Sequence, residues 1–210
     1  MRLRISFAKN DLMRFTGHLD LHRAWERIFR RAALPLAYTQ GFSPHPRINL
    51  ASALPLGFTS QAELVDVWLE EELSLDQVAK ALQRAIPPGI QITEIQSVEE
   101  RLPSLQSSLE SSEFVVTFLD EQPDLQAQVQ RLLEADSLPR TRCNKPYDLR
   151  PLIEALEVLP ASTEENTRLS MLLSARDGAT GRPEEVLDCM GLPVEDCRVH
   201  RTALFFDRGF

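Results

Sequence analysis

The sequence predicts an α+β fold: two ferredoxin-like (split βαβ) units in tandem, each with an antiparallel sheet. Three observations lead there. Short runs in which apolar residues alternate with a period of two are separated by runs with the helical period. In the first half these runs come in the order strand, helix, strand, strand, helix, strand. The second half repeats that order in outline, which divides 210 residues into a basic unit over 1–100, a linker over 101–112 and a second unit over 113–210.

The first run, "RLRISFAKN", alternates Leu3, Ile5 and Phe7 and reads as a strand. A helix is expected from about His18 to Ala33, because Leu21, Trp25, Ile28, Phe29 and Ala32 form one apolar stripe at ~100° per residue. After a loop rich in proline and glycine, "AELVDVWLEE" is the next substantial strand. "SLDQVAKALQRAI" is a helix capped by Ser74, presenting Val78, Leu82 and Ile86, and stopped by Pro87-Pro88-Gly89. "IQITEIQSV" closes the unit as an alternating strand. The polar, serine-rich "EERLPSLQSSLESSE" suits a linker or mobile connection. Beyond it come a strand "FVVTFLD", a helix "DLQAQVQRLLEAD", two short strands or a strand and turn in "RTRCNKPYDLRPLIEALEV", a strand "TRLSMLLSA", a helix "RPEEVLDCMGL" and a last strand "CRVHRTALFF".

A hydrophobic content of 43% is ordinary for a globular chain, and no run nears the roughly 18 apolar residues of a membrane span. The start, "MRLRISFAKND", lacks the apolar core of a signal peptide, so a cytoplasmic location is expected. Cys143, Cys189 and Cys197 are odd in number and form no C-x-x-C pair, which argues against both a disulfide framework and a cysteine-based zinc site. Reduced, mostly structural thiols are expected, and neither a metal nor a cofactor.

The net charge of -8 is unevenly spread. Residues 1–50 hold nine bases against three acids, a balance of +6, leaving -14 for the rest. That asymmetry suggests that the first part meets an anion. Arg23, Arg27, Arg30 and Arg31 gather on the helix side opposite the apolar stripe, with Asp20 and Glu26 as local compensation. Arginine binds phosphate in a planar fork, so the residue choice favours an anionic partner, while a solvated or intramolecularly paired face is the alternative. His18 and His22 have the i, i+4 spacing of some metal sites, but no third ligand is fixed by spacing and H-E-x-x-H is absent.

In "TQGFSPHPRI", Gly41 supplies conformational freedom, while Pro44 and Pro46 fix their own φ and Pro46 holds His45 extended. A histidine placed rigidly beside Arg47, with Tyr38 at the edge, makes a preorganised anion site; a rigid turn whose histidine caps a carbonyl is the plain alternative. In "KPYDLRPLI", Asp148 and Arg150 are expected to orient a turn, with Lys145 or Arg150 as an extension of the anion site.

The run from Phe15 to Leu69, with "DLRPLI" and the late "HRTALFF", resembles the radical-SAM-linked family, an uncharacterised bacterial domain encoded beside or fused to a B12-binding-type radical SAM protein. The resemblance implies a radical SAM protein as partner. It departs at Thr16-Gly17, where the family pattern has a serine directly before the histidine. The C-x-x-x-C-x-x-C that ligates a 4Fe-4S cluster is absent from this sequence, so radical chemistry belongs to the partner. The leading expectation is an accessory module, without catalytic activity alone, that binds tRNA or rRNA through Arg23, Arg27, Arg30, Arg31, Tyr38, His45 and Arg47. The alternatives are a metal-independent endoribonuclease with His45 as general acid/base and Arg47 stabilising charge, similar in architecture to CRISPR repeat-processing endoribonucleases, and a protein-binding scaffold.

Overall fold

The computed structural model describes residues 1–160 and 167–207 and is a mixed α/β structure in which the sheets are mostly antiparallel and the helices few. It divides into two compact units, Met1–Leu109 with Asp207–Phe210, and Glu110–Phe206.

In the first unit the elements are β1 (Arg2–Lys9), α1 (His18–Arg31), β2 (Ile48–Leu50), β3 (Thr59–Trp68), α2 (Leu75–Gln83), β4 (Ile90–Val98) and α3 (Leu105–Ser108). The sheet order is β4-β1-β3-β2, and the pairings β4–β1, β1–β3 and β3–β2 are all antiparallel. Alternation in β1 places Leu3, Ile5 and Phe7 opposite Val67, Val65 and Glu63 of β3. The apolar members of that face pack under Leu21, Trp25, Ile28 and Phe29 of α1 and Val78 and Leu82 of α2. Trp25 is fully buried, with its ring edge-on to Phe7 at 4.8 Å and tilted against Phe29 at 5.2 Å. Burying side chains of this size contributes roughly 1.5–3 kcal/mol each.

Local chemistry sets the helix ends. Ser74 caps α2 in a capping box with Gln77. α1 has Gly17 as its N-cap, extended and with no side-chain cap. It ends two residues before the expected Ala33, which has φ 52° and so leaves the right-handed helix.

The other face of β1 buries two of the nine bases counted in residues 1–50. Arg2 and Arg4, part of the +6 balance, are only 1% and 5% exposed and grip the fully buried Asp66 from both sides. Arg2 Nε and Nη2 donate to Asp66 Oδ2 at 2.9 and 2.5 Å, and Arg4 Nε and Nη2 to Oδ1 and Oδ2 at 2.9 and 3.1 Å. Arg2 also donates to the carbonyls of Leu102 and Pro103. Lys9 is buried too, with its ammonium on the carbonyls of Phe58 and Arg14. The stretch 101–112, expected to be a linker, holds α3 and the first residues of the next strand.

In the second unit the elements are β5 (Leu109–Phe118, its first residue grouped with the first unit), α4 (Leu125–Glu134), β6 (Pro139–Arg142), β7 (Lys145–Asp148), β8 (Ile153–Leu159), β9 (Arg168–Arg176), β10 (Ala179–Thr180), α5 (Pro183–Cys189) and β11 (Cys197–Phe206). β5 lies between β9 and β11, and β8 and β10 pair with β9. Phe114, Val116, Leu169, Met171, Leu173, Val129 and Val186 are buried in it. β6 and β7 form a separate hairpin whose turn, Cys143-Asn144, has φ values of 48° and 62°. Arg142 fixes the hairpin to α5: its guanidinium pairs with Glu185, reaches the Thr180 carbonyl at 3.0 Å and lies 4.8 Å over the Tyr147 ring.

Candidate nucleic-acid interface

The arginines of α1 are where their spacing put them. Arg23, Arg27, Arg30 and Arg31 are all exposed, on an arc of about 100° opposite the buried stripe. Arg23 is held by Asp20 at 3.2 Å, a pair two-thirds exposed on both sides. Among the described residues, Arg27, Arg30 and Arg31 make no ion pair. Arg30 and Arg31 occupy the last turn, where a cation complements the helix dipole and contributes about 0.3–1 kcal/mol.

The proline-clamped loop is the tip of an irregular hairpin. Its arms are tied by Arg47 N–H to the Ala37 carbonyl at 2.8 Å, Thr39 N–H to the His45 carbonyl at 2.8 Å, and His45 N–H to the Thr39 hydroxyl at 3.0 Å. Tyr38 and Pro46 face each other across the arms. The base joins the end of β3, where Ala37 N–H donates to the Trp68 carbonyl and Trp68 N–H to that of Arg47. Gly41 has φ 135°, a value that favours glycine, and Phe42 at the tip is fully exposed. The His45 backbone is thus held by Thr39 as well as by the flanking prolines.

Arg47 is positioned by an aromatic ring. Its guanidinium carbon lies 4.7 Å from the centroid of Trp68, and that of Arg2 lies 4.8 Å from the same ring. Cation–π contacts of this kind contribute about 0.5–1 kcal/mol at exposed sites. Arg31 precedes Leu36 by five residues, and Leu36 pairs with Leu69 just beyond β3, so the last turn of α1 and the hairpin base lie at one end of the sheet. Arg23 sits about 12 Å further along α1. No hydrogen bond or ion pair joins His45 or Arg47 to the α1 arginines among the described residues.

Two other histidines lie on α1. His22 Nδ1 lies 3.4 Å from Glu26 Oε1, and His18 is partly buried in the first turn of α1. Among the described residues no group of three His, Cys, Asp or Glu side chains is placed to share a metal ion.

In the second unit, Asp148 orients a turn. Its carboxylate accepts the N–H groups of Leu138 at 2.7 Å and Arg150 at 2.9 Å, and these backbone bonds hold its pKa below the ordinary aspartate value. Arg150 donates to the carbonyls of Leu133 and Ile153, while Lys145 is exposed on the hairpin. The cysteines are free, Cys143 exposed and Cys197 buried, and burial pushes the Cys197 thiol up to about 11. Sequence reasoning missed the Trp68 ring under Arg47 and the buried triad. The signal available for the triad was Asp66 inside the apolar run "LVDVWL", since a charge there needs a partner.

The chain belongs to the family described as an uncharacterized protein conserved in bacteria, DUF2344, which matches residues 2–183. None of the curated proteins matches it. Among solved structures it is similar to a chain of the crystal structure of a Cbf5-Nop10-Gar1 complex, at 12% identity and a TM-score of 0.49 over 96% of this chain and 47% of the other. It is also similar to a chain of an H/ACA RNP bound to a substrate RNA containing 2'-deoxyuridine, at 11% identity and a TM-score of 0.45 over 99% and 47%. The chain therefore spans about half the length of those it resembles. No helix among the described residues is long and apolar enough to cross a membrane.

Proposed function

We propose that the first unit binds RNA through its phosphates, on the exposed guanidinium groups of α1 and on the hairpin carrying Tyr38, His45 and Arg47, and that the chain acts as an accessory module rather than as an enzyme alone. The observation that carries this reading is that Arg27, Arg30 and Arg31 are exposed together with no ion pair among the described residues, although the chain as a whole has a net charge of -8. Guanidinium groups left open in an acidic protein are suited to a planar, multiply charged anion. Phosphates fit that description, and a row of them fits a helix face. The tRNA or rRNA identity of the RNA and the radical SAM partner rest on the sequence resemblance over Phe15–Leu69. Failure of a radical SAM protein from the same cell to associate with the purified chain in a pull-down would remove the partner.

The scaffold is read as two ferredoxin-like units. The orders β4-β1-β3-β2 and β11-β5-β9-β8 support that reading, with the β6–β7 hairpin and β10 as additions.

The test of binding is its salt dependence. Affinity of the purified chain for tRNA should fall linearly on a log–log plot, and the joint Arg27→Ala, Arg30→Ala and Arg31→Ala variant should lose roughly 0.7–0.9 of slope per phosphate contact removed. Unchanged tryptophan fluorescence would show that the variant is folded. An affinity indifferent to salt, or a variant that binds as the parent does, refutes the reading. Cleavage of the RNA in the presence of a chelator, abolished by His45→Ala, would replace it with the endoribonuclease.

A further inference from the structure

We propose that the free edge of β4, with the groove between it and α2, is a docking site for an extended peptide from a partner protein, taken up as one more strand. β4 ends the sheet order of the first unit: its inner edge pairs with β1, and among the described residues no strand pairs with its outer edge. A row of open N–H and C=O groups is a template for another strand, and proteins usually blunt such edges with proline, charged side chains or a bulge. β4, "IQITEIQSV", holds no proline or lysine over its nine residues; its one charged residue is Glu94, and its one register shift, at Thr93, shapes the groove beside it.

A register shift in β4 organises the groove. Ile92 lies opposite Phe7 and Glu94 opposite Ser6, which leaves Thr93 as the extra residue, and Ile95 then falls opposite Ile5. Strict alternation would have sent Ile92 and Ile95 to opposite faces. The bulge keeps Ile90, Ile92 and Ile95 on one face, where they line a groove of about 500 Å³ with Ile86 and the flank of α2 at Ala79 and Gln83. Ile92 and Ile95 are only partly buried, so the face is unfinished where it meets the edge.

The occupant follows from these dimensions and this chemistry. A strand added at the usual spacing of about 4.8 Å would satisfy the open backbone groups, and its alternate side chains would rest on the isoleucines beside α2. Apolar residues at i and i+2 are therefore the recognition element. A second copy joined β4 to β4 fits less well, because it would bring its own α2, about 10 Å across, onto the same face. Nucleic acid is disfavoured by the apolar floor and by a rim with one acid and one base, Asp76 and Lys80. The site lies on elements other than the hairpin and the arginine face of α1 and is independent of the RNA reading.

The test uses the full chain as bait for a random octapeptide library displayed on phage. Ala79 is exposed, so Ala79→Trp fills the groove without entering the core and serves as the counter-selection. The expected result is enrichment of peptides with β-branched or apolar residues at i and i+2. A synthetic copy of an enriched peptide should bind at least tenfold more weakly to Ala79→Trp, and also when its backbone amides are N-methylated at alternate positions. It should protect β4 amides from hydrogen exchange. No enrichment over Ala79→Trp, binding indifferent to N-methylation, or β4 protection that appears with protein concentration alone would each overturn the proposal, the last by making a second copy the occupant.

Discussion

Replacing Asp66 by asparagine should weaken the first unit by about 3–5 kcal/mol, the usual cost of breaking a buried pair by removing one partner. Asp66 is fully buried and accepts four hydrogen bonds from two guanidinium groups that are themselves 1% and 5% exposed. In the parent the carboxylate offsets one of the two positive charges, and the Leu102 and Pro103 carbonyls solvate Arg2. Asparagine keeps the shape and one acceptor oxygen but removes the negative charge that lies between the two buried guanidinium groups. Both tryptophans, Trp25 and Trp68, lie in the first unit, so urea unfolding followed by tryptophan fluorescence reads that unit alone. With a slope of about 2 kcal/mol per molar urea, the midpoint should fall by roughly 1.5–2.5 M. A loss below about 1 kcal/mol would mean that Asp66 does not hold the two arginines, and Arg2 and Arg4 would return to the pool of charges open to an anion.

Two further outcomes are expected. Gly89→Ala should destabilise the first unit by about 1–3 kcal/mol, because Gly89 has φ 94° and an added Cβ would lie 2.9 Å from the Met13 backbone nitrogen and 2.5 Å from its Cγ; a urea midpoint equal to that of the parent would contradict it. Asp148→Asn should destabilise the second unit at neutral pH and not at acid pH. A carboxylate whose folded pKa is depressed contributes stability that is present above the ordinary aspartate value of about 3.9 and is lost as the pH falls through the folded value. Hydrogen exchange at the Leu138 and Arg150 amides, compared at pH 7 and pH 3, would show the difference shrinking on acidification, and a constant difference would refute it.

The order of elements in the first unit, the buried stripe of α1 and the capping box at Ser74 are legible in the chain because each depends on neighbours within about four residues. Period two and period 3.6 are local signals, and a serine cap needs only the next turn. Exposure of the α1 arginines followed from the same arithmetic. What the chain could not display is pairing across long separations. Arg2 and Arg4 counted as two bases among nine until β3 brought Asp66 against them, 64 and 62 residues away. Arg47 acquired its aromatic support only when Trp68 came beside the hairpin, and the bulge at Thr93 turned an interrupted alternation into one continuous isoleucine face. The sequence by itself determined which residues could form a core and which could carry charge. Tertiary structure decided which charges stay open to a partner, because a guanidinium is neutralised by whatever carboxylate folding places beside it.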